Sequence, residues 1–375
     1  MLHSSSKPHP PATLAAADSQ SYPRLLADIG GTNARFGWLA APGASVSQVQ
    51  KLSVPAFAGP AQAAQAYLGD LAQQLGADFK APRHAAFAVA TAVAGDHIAF
   101  TNSHWAFSRA AVQSELGLAG LLMLNDFEAL ALSLPCLDPA QWRGHGGGRL
   151  MPMASVGAGA RRPSQTPNQT SSQAAGQASV GTTLAVVGPG TGLGVGAVVR
   201  TRSGWVALPG EGGHATLAAT DALESALLAC VRRQYAHVSA ERLLSGIGLP
   251  VLHQALGDVQ GAAPGVLTTA QIVDAGVAGS DALCSQTLDM FCALLGGFAG
   301  NVALTLGARG GLYIGGGIVP RFADRFFVSA FRERFEAKGR FKDYLAAIPT
   351  ALITDTLAAL SGAALAIEQQ VALGD

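Results

Sequence analysis

With 375 residues, the chain is long enough for two packed domains and a large core. Its 24 Lys and Arg residues balance its 24 Asp and Glu residues, so no basic surface for nucleic acid is indicated. The expected substrate is therefore small. The four cysteines are widely spaced and lack C-x-x-C pairs, which predicts buried apolar residues in a reducing compartment.

Two segments of low complexity are expected to lie outside the folded core. Residues 1–23 are rich in Ser, Pro and Ala and lack the compact apolar region of a signal peptide. They predict a disordered leader on a cytoplasmic protein. Residues 143–181 are rich in Ser, Gln and Gly and predict a flexible surface insertion. No charge-free apolar run reaches about 20 residues, so neither a transmembrane helix nor a membrane partner is expected.

The first candidate ligand motif is a glycine turn between two apolar runs, LLADIGGTNARFGWL, at Leu25–Leu39. It predicts a β-hairpin whose turn presents backbone N–H groups and small polar side chains, with Asp28 at the strand end. Such a turn can wrap phosphates and face a metal ion, although an ordinary hairpin has the same pattern. The P-loop string G-x-x-x-x-G-K-[ST] does not occur in the sequence.

A second glycine turn, Gly188 to Gly192, lies within the apolar stretch Leu184–Val199. Two hairpins of the phosphate type in one chain indicate two related lobes. Glycine at this density permits positive φ and lets the main chain approach a ligand closely.

Strands and helices alternate along the remaining chain, which indicates an α/β protein built in layers. The patterns predict strands at Phe87–Val93 and Leu121–Phe127, a helix after Asp126, helices at Ala222–Tyr235 and Asp281–Leu306, and a strand at Gly311–Ile314 that ends on Gly315, Gly316 and Gly317 ahead of another helix.

Asn125 and Asp126 end a predicted strand and open a helix, at the edge of a sheet where α/β proteins bind ligands. Asp126 could accept a proton from a substrate hydroxyl. Alternatively, it caps the helix.

Glu211 and His214 lie in the glycine-rich loop LPGEGGHATLA and suit hydrogen bonding to several hydroxyls. E-x-x-H also resembles half of a metal site, but no helix aligns the pair. Glu241 follows Ser239 at an expected helix start, where it either binds a ligand or stabilises the first turn. Gly315–Gly317 could admit a nucleotide base or ribose, or could form a tight left-handed turn.

Eight collinear segments resemble the bacterial glucokinase family, within the hexokinase and actin-like ATPase superfamily. They are DIGGTNARFG, TNSHWAFS, LNDFEALALSLP, GPGTGLGVG, PGEGGHATLA, HVSAERLLSG, LYIGGGIVPRF and FEAKGRFKDYL. The resemblance covers about Leu25 to Leu365. It implies a two-lobed actin-like ATPase (ribonuclease H-like) α/β fold with a ligand cleft between a small and a large domain. It also implies glucose and ATP as partners, Mg²⁺, glucose 6-phosphate as product, the first step of glycolysis and a homodimer.

The resemblance also implies site residues. Asp126 matches the catalytic base, and Asn125, Glu211, His214 and Glu241 match residues that hold sugar hydroxyls. Asp28 would hold Mg²⁺ through water. The nucleotide motifs are matched by Ala27, Asp28, Ile29, Gly30, Gly31, Thr32 and Asn33, then by Gly188, Gly190, Thr191, Gly192 and Gly194, and finally by Gly315, Gly316 and Gly317.

The expected small domain spans residues 24–136 and is completed by about 355–375, and the large domain spans 137–354. The family's typical chain lacks both the leader and the 143–181 insertion. The cysteine-rich zinc motif of the repressor and ORF sugar kinases is absent, which disfavours that family.

Three other functions stay open. One is a broader hexokinase or mannokinase, because a single hydroxyl distinguishes these sugars. Another is a sugar-sensing regulator, although the leader contains no basic helix-turn-helix segment. The third is an actin-like polymer, which would leave Glu211, His214 and Glu241 without a polyol to bind.

Overall fold

The computed structural model describes residues 21–100, 103–148, 150 and 178–373. Residues 1–20 of the expected leader and most of the expected insertion lie outside this range, as do Thr101 and Asn102 of the TNSHWAFS segment. Contacts divide the chain into two compact units, one running to Leu124 and resuming at Ala363, and the other Asn125–Gly362. The domain limits expected at residues 136 and 355 stay a prediction.

The prediction of a disordered leader is wrong for its last residues. Ser21 and Pro23 are buried, and the Tyr22 hydroxyl donates to Glu368 Oε1 at 2.9 Å. The buried Arg24 guanidinium lies 4.1 Å from the centre of the Tyr22 ring. Contacts with a partner 346 positions away therefore order this segment, and composition does not reveal them.

The first unit is an α/β unit. Its elements are β1 (Arg24–Ile29), β2 (Asn33–Leu39), β3 (Ser47–Ser53), α1 (Pro60–Leu75), β4 (His84–Val89), β5 (His97–Ala99), β6 (Ala106–Ser108), α2 (Arg109–Glu115) and β7 (Gly120–Asn125). Five strands form a sheet in the order β3-β2-β1-β4-β7, while β5 and β6 pair separately. The predicted first hairpin is confirmed, because β1 and β2 pair antiparallel with Asp28 opposite Arg35.

The second unit surrounds a larger core. Its elements are α3 (Asp126–Ser133), β8 (Trp142–Gly144), β9 (Thr183–Pro189), β10 (Leu193–Arg200), β11 (Trp205–Leu208), α4 (Ala222–Val231), α5 (Leu249–Val259), α6 (Thr269–Ala278), α7 (Ala282–Leu306), β12 (Gly311–Ile314), α8 (Ala323–Val328), α9 (Phe331–Glu336), α10 (Lys342–Ala346), β13 (Thr350–Ile353) and α11 (Ala358–Leu373), the last of which crosses the boundary at Ala363. The sheet order is β11-β10-β9-β12-β13-β8.

The two main sheets share a topology. In each, an antiparallel hairpin (β1–β2 or β9–β10) extends to a third antiparallel strand, and its first strand pairs in parallel with a later one (β4 or β12). The α/β class is thus confirmed, and the second predicted hairpin is present. The shared order agrees with the inference of two related lobes.

Helix α7 is the central helix of the second unit. The Asp281 side chain caps its N-terminus, and Gly307 ends it in the left-handed conformation with φ 61°. By length and composition α7 could cross a bilayer, but 72% of its most apolar window is buried inside the protein. A core helix meets the same criteria, so this feature alone carries no membrane assignment.

Five expectations need correction. The strand expected at Phe87–Val93 ends at Val89, the strand expected at Leu121–Phe127 ends at Asn125, and the helix expected to reach Tyr235 ends at Val231. The first residues of the insertion expected at 143–181 are ordered, because β8 pairs with β13 as far as Gly144. Glu241 does not start a helix, because residues 232–248 form turns. Backbone hydrogen bonds explain this local structure: Leu217 N–H donates to Val238 O at 3.0 Å, and Ala240 N–H donates to Ala215 O at 2.9 Å.

Candidate active site

The first turn of α3 carries the predicted base. Asn125 is the N-cap, and its Oδ1 accepts from Phe127 N–H at 2.9 Å and from Glu128 N–H at 3.4 Å. Asp126 is the first helical residue and is half-buried, with Oδ1 2.9 Å from Phe127 N. The capping role considered for Asp126 therefore belongs mainly to Asn125.

The Glu128 side chain completes this helix start. Its carboxylate hydrogen-bonds to the backbone of Asn125, which opposes the rise in the pKa of Glu128 that burial causes. The two residues thus form a reciprocal cap, as in a capping box. The Asn-x-x-Glu spacing is its signal in the sequence.

Phe127 packs onto the second glycine hairpin. A Cβ at Gly188 would lie 2.7 Å from Phe127 Cζ, and a Cβ at Gly194 would overlap with the same ring. A Cβ at Gly196 would lie 2.8 Å from Phe127 O. These glycines are therefore required for the close approach of α3 to β9 and β10.

The third glycine motif contacts the same helix and the same hairpin. A Cβ at Gly315 would lie 2.9 Å from Leu130 Cδ2. Gly315 N–H donates to Val187 O at 2.9 Å, and Ile318 N–H donates to Pro189 O at 3.1 Å. Gly316 has φ 76°, a conformation that strains other residues.

The glycines at 188, 190, 192 and 194 are absent from the positive-φ residues of the described chain. The expected use of positive φ in this hairpin is therefore wrong. Gly188, Gly192 and Gly194 are needed for a different reason. Their missing side chains leave space for Phe127 of α3 and for Glu241. In the third motif, Gly316 alone adopts the left-handed conformation that was considered.

Glu241 is anchored at the end of the same hairpin. Its Oε2 accepts from Leu193 N–H at 2.9 Å, and a Cβ at Gly192 would overlap with that oxygen. Its backbone N–H donates to Gly213 O at 2.9 Å. Its other oxygen, Oε1, lies 3.9 Å from His214 Nδ1, so the fold brings Glu241 and His214 together.

Glu211 immediately precedes a short 3-10 helix, Gly212–His214, and His214 is its last residue. Both side chains are exposed, and His214 N–H donates to Glu211 O at 3.0 Å. Within the described residues no group of three His, Cys, Asp or Glu side chains could hold a metal ion. The pair therefore presents polar groups to solvent from a loop that is pinned by backbone hydrogen bonds.

The first motif belongs to the other unit. Gly30 N–H donates to Asn33 O at 2.9 Å and closes the turn, while the exposed Thr32 hydroxyl lies 3.0 Å from Asn33 Nδ2. Asp28 Oδ2 lies 3.3 Å from Arg35 Nη1. Burial raises the pKa of Asp28, and Arg35 opposes the rise. A single carboxylate fits Mg²⁺, which usually keeps several waters and takes its other ligands from substrate phosphates.

Two of these residues were missed by sequence reasoning. Glu128 had a readable signal in its capping spacing. Phe127 had none, because an apolar residue in a first helical turn is ordinary, and its glycine partners lie more than 60 positions away. The candidate residues of the second unit are all linked to α3, the second hairpin or the loop that contacts it.

Comparison with solved structures identifies the fold. A glucokinase from an Antarctic psychrotroph aligns with a TM-score of 0.77 and 34% identity, covering 92% of this chain and 98% of that one. The ROK hexokinase from Thermus thermophilus aligns with a TM-score of 0.61 at 16% identity, covering 94% and 100%. The protein therefore has the actin-like ATPase fold of the sugar kinases, and the fold prediction is confirmed at this level.

Sequence comparison identifies the family within the sugar kinases to which the chain is related. The glucokinase family model matches residues 25–370. The glucokinase of Aromatoleum aromaticum is 44% identical over 354 residues, which cover 94% of this chain and 97% of that protein. The glucokinase of Chromobacterium violaceum is 45% identical over 345 residues, covering 92% and 89%. The chain belongs to the glucokinase family. The predicted activity, ATP-dependent phosphorylation of glucose, is thereby confirmed.

Proposed function

We propose that this chain transfers the γ-phosphoryl group of ATP to the 6-hydroxyl of D-glucose, giving glucose 6-phosphate and ADP, with Asp126 as the base. One observation carries the proposal. The helix that begins at Asp126 packs through Phe127 directly onto the hairpin that contains Gly188 and Gly194. This packing holds the proposed proton acceptor at a fixed position relative to the proposed phosphate turn.

Asp126 would take the proton of the attacking 6-hydroxyl. Phosphoryl transfer needs little covalent chemistry from the protein and depends on alignment and on stabilising the charge of the transferred group. A placed base contributes roughly 10² to 10⁴-fold. The Asn125 and Glu128 caps hold the first turn of α3 and hence the Asp126 backbone.

Sugar hydroxyls would be held by Asn125, Glu211, His214 and Glu241. The Asn125 Oδ1 caps α3, so its amide NH₂ is the group that donates to a hydroxyl. The Glu241 Oε2 is engaged by Leu193 N–H, so Oε1 is the oxygen presented to the sugar. Groups that are paired only by the correct hydroxyls penalise a sugar that lacks one of them.

The nucleotide would be bound by the three glycine motifs. The glycine turns at residues 30–33 and 188–194 would bind the phosphate oxygens, and Gly315–Gly317 would bind the adenosine. Asp28 would hold Mg²⁺ through water, and the bound ion would neutralise charge on the phosphates. We further propose a cytoplasmic homodimer that takes part in the first step of glycolysis, on the family resemblance. A glucokinase from Balamuthia mandrillaris has been solved in complex with glucose, which supports glucose as the ligand here.

A coupled assay of ATP-dependent glucose 6-phosphate formation tests this proposal. The acceptors are glucose, mannose, glucosamine, fructose and N-acetylglucosamine, each with and without Mg²⁺. Turnover that depends on Mg²⁺ and is fastest with glucose is expected. Comparable turnover of mannose or glucosamine would favour the broader hexokinase. A folded protein that phosphorylates none of these sugars would contradict the proposal and favour a sugar-sensing role.

A further inference from the structure

Helix α3 lies in a set of glycine contacts, here called the glycine socket, made by Gly188, Gly194, Gly196, Gly315 and Gly362. At each of them an added Cβ would come within 2.9 Å of, or overlap with, an atom of α3. They come from four parts of the second unit: β9, β10, the segment after β12, and α11. A methyl group at any of these glycines would displace α3 or its neighbour, because packed interiors tolerate no overlap of this size.

Phe127 occupies the part of the socket nearest to the candidate phosphate turn. Its ring lies over Gly188 at the end of β9 and over Gly194 at the start of β10, and these two residues pair across the hairpin. Its backbone follows Asp126 directly. One side chain therefore connects the first turn of α3 to both strands that support the turn at residues 190–192.

A purely structural role would place this ring among core side chains. Phe127 is instead half-buried and is not one of the buried residues that form the core of the second unit. Two glycines of the proposed nucleotide motif, Gly188 and Gly194, lie directly against the ring. This arrangement sets the spacing between a base and a phosphate turn more directly than it adds apolar burial.

We propose that Phe127 is a positioning residue for phosphoryl transfer, which fixes the distance between Asp126 and the 188–194 hairpin. The proposal rests on the proposed function. Displacements near 1 Å at a reacting centre can cost roughly 10²-fold in rate. A smaller side chain at position 127 would let α3 and the hairpin shift relative to each other, and kcat would fall while the sugar contacts of Glu211, His214 and Glu241 persist.

The test compares Phe127→Leu with Phe327→Leu. Phe327 is a matched control, because it is also a half-buried phenylalanine of the second unit, stacked on His145 at 5.1 Å between ring centroids. For both variants and the wild type, the readouts are kcat, the glucose dissociation constant and the urea midpoint. We expect Phe127→Leu to lower kcat about tenfold or more, with the glucose dissociation constant within about threefold. Phe327→Leu should lose similar stability and keep kcat within about twofold.

A size-exchange cycle supplies a second readout. Gly194→Ala alone should lower kcat, because its methyl group overlaps with the Phe127 ring. Adding Phe127→Leu makes room for that methyl group, so the double variant should be more active than Gly194→Ala, with a non-additive effect. Phe127→Met repeats the cycle if circular dichroism shows that Phe127→Leu is unfolded.

A Phe127→Leu enzyme with wild-type kcat would overturn the proposal. It would also be overturned if the separate effects of Gly194→Ala and Phe127→Leu on kcat simply multiplied in the double variant. The Asp126→Asn variant separates this result from a failure of the proposed function. If the wild type is active and Asp126→Asn is inactive, a normal Phe127→Leu enzyme contradicts the positioning role alone. A wild type without kinase activity contradicts both.

Discussion

Substituting Gly192 by Ala perturbs the hydrogen bond that anchors the Glu241 side chain, while Glu241 itself is not substituted. The added methyl group would overlap with Glu241 Oε2, which accepts from Leu193 N–H at 2.9 Å. Because the overlapping atom is the end of a side chain, the carboxylate is expected to move rather than the backbone.

The magnitude follows from this geometry. A displacement of about 1 Å would take Oε2 beyond hydrogen-bond range of Leu193 N–H. A hydrogen bond to a charged group contributes about 1.5 to 3 kcal/mol, and each 1.4 kcal/mol is tenfold in an equilibrium constant. The His214 pair at 3.9 Å adds little, because the His214 side chain is 60% exposed. If Glu241 holds a sugar hydroxyl, the glucose KM should rise about 10- to 100-fold.

Steady-state kinetics with glucose varied at saturating ATP measures this effect. Gly190→Ala is the control within the same turn, because the nearest atom to its added Cβ lies at 4.0 Å. It should leave the glucose KM within about twofold of wild type. If Gly192→Ala left the glucose KM unchanged while lowering the urea midpoint, Glu241 would be a purely structural anchor and the reasoning would fail.

Two stability predictions follow from buried contacts. Gly296→Ala should destabilise the protein by about 1 to 3 kcal/mol, because a Cβ there would lie 2.9 Å from Phe331 Cα. In contrast, a Cβ at Gly297 meets nothing within 4 Å, so Gly297→Ala should stabilise the protein by about 0.5 to 1 kcal/mol. Urea unfolding checks both, and equal effects would contradict the packing argument. Burial lowers the pKa of His253, whose Nδ1 lies 3.0 Å from the Thr287 hydroxyl. The unfolded chain therefore binds the proton first, and stability falls as the pH drops below about 6.5. His253→Asn should lose less stability than wild type between pH 7 and pH 5 in the same assay, and an equal loss would refute this.

Local sequence patterns predicted an element correctly where the residues that determine it lie close together in the chain. The two hairpins follow from apolar runs around glycine turns. Helix α7 begins after Asp281, as its apolar pattern predicts, because that side chain caps Cys284 N–H at 2.8 Å. Collinear motifs identified the family, and from it the activity and the fold.

Long-range contacts determine the features that local sequence patterns did not predict. Glu241 lies in a turn because the preceding residues pair with the 215–217 segment, which local helix signals do not reveal. The glycines at 188 and 194 were interpreted as ligand-facing, yet their missing side chains make room for Phe127. Tyr22 is ordered by Glu368 at the opposite end of the chain. Each case depends on a partner that only the folded chain brings close.

If Asp126 is the base of a glucose kinase, its removal must lower the rate of phosphoryl transfer far more than the affinity for glucose. The kcat for glucose 6-phosphate formation and the glucose dissociation constant would be measured for the wild type and for Asp126→Asn, which keeps the side-chain shape. We predict that kcat falls about 10² to 10⁴-fold while the dissociation constant changes by less than about tenfold. An Asp126→Asn enzyme that retains most of the wild-type kcat would contradict the assignment.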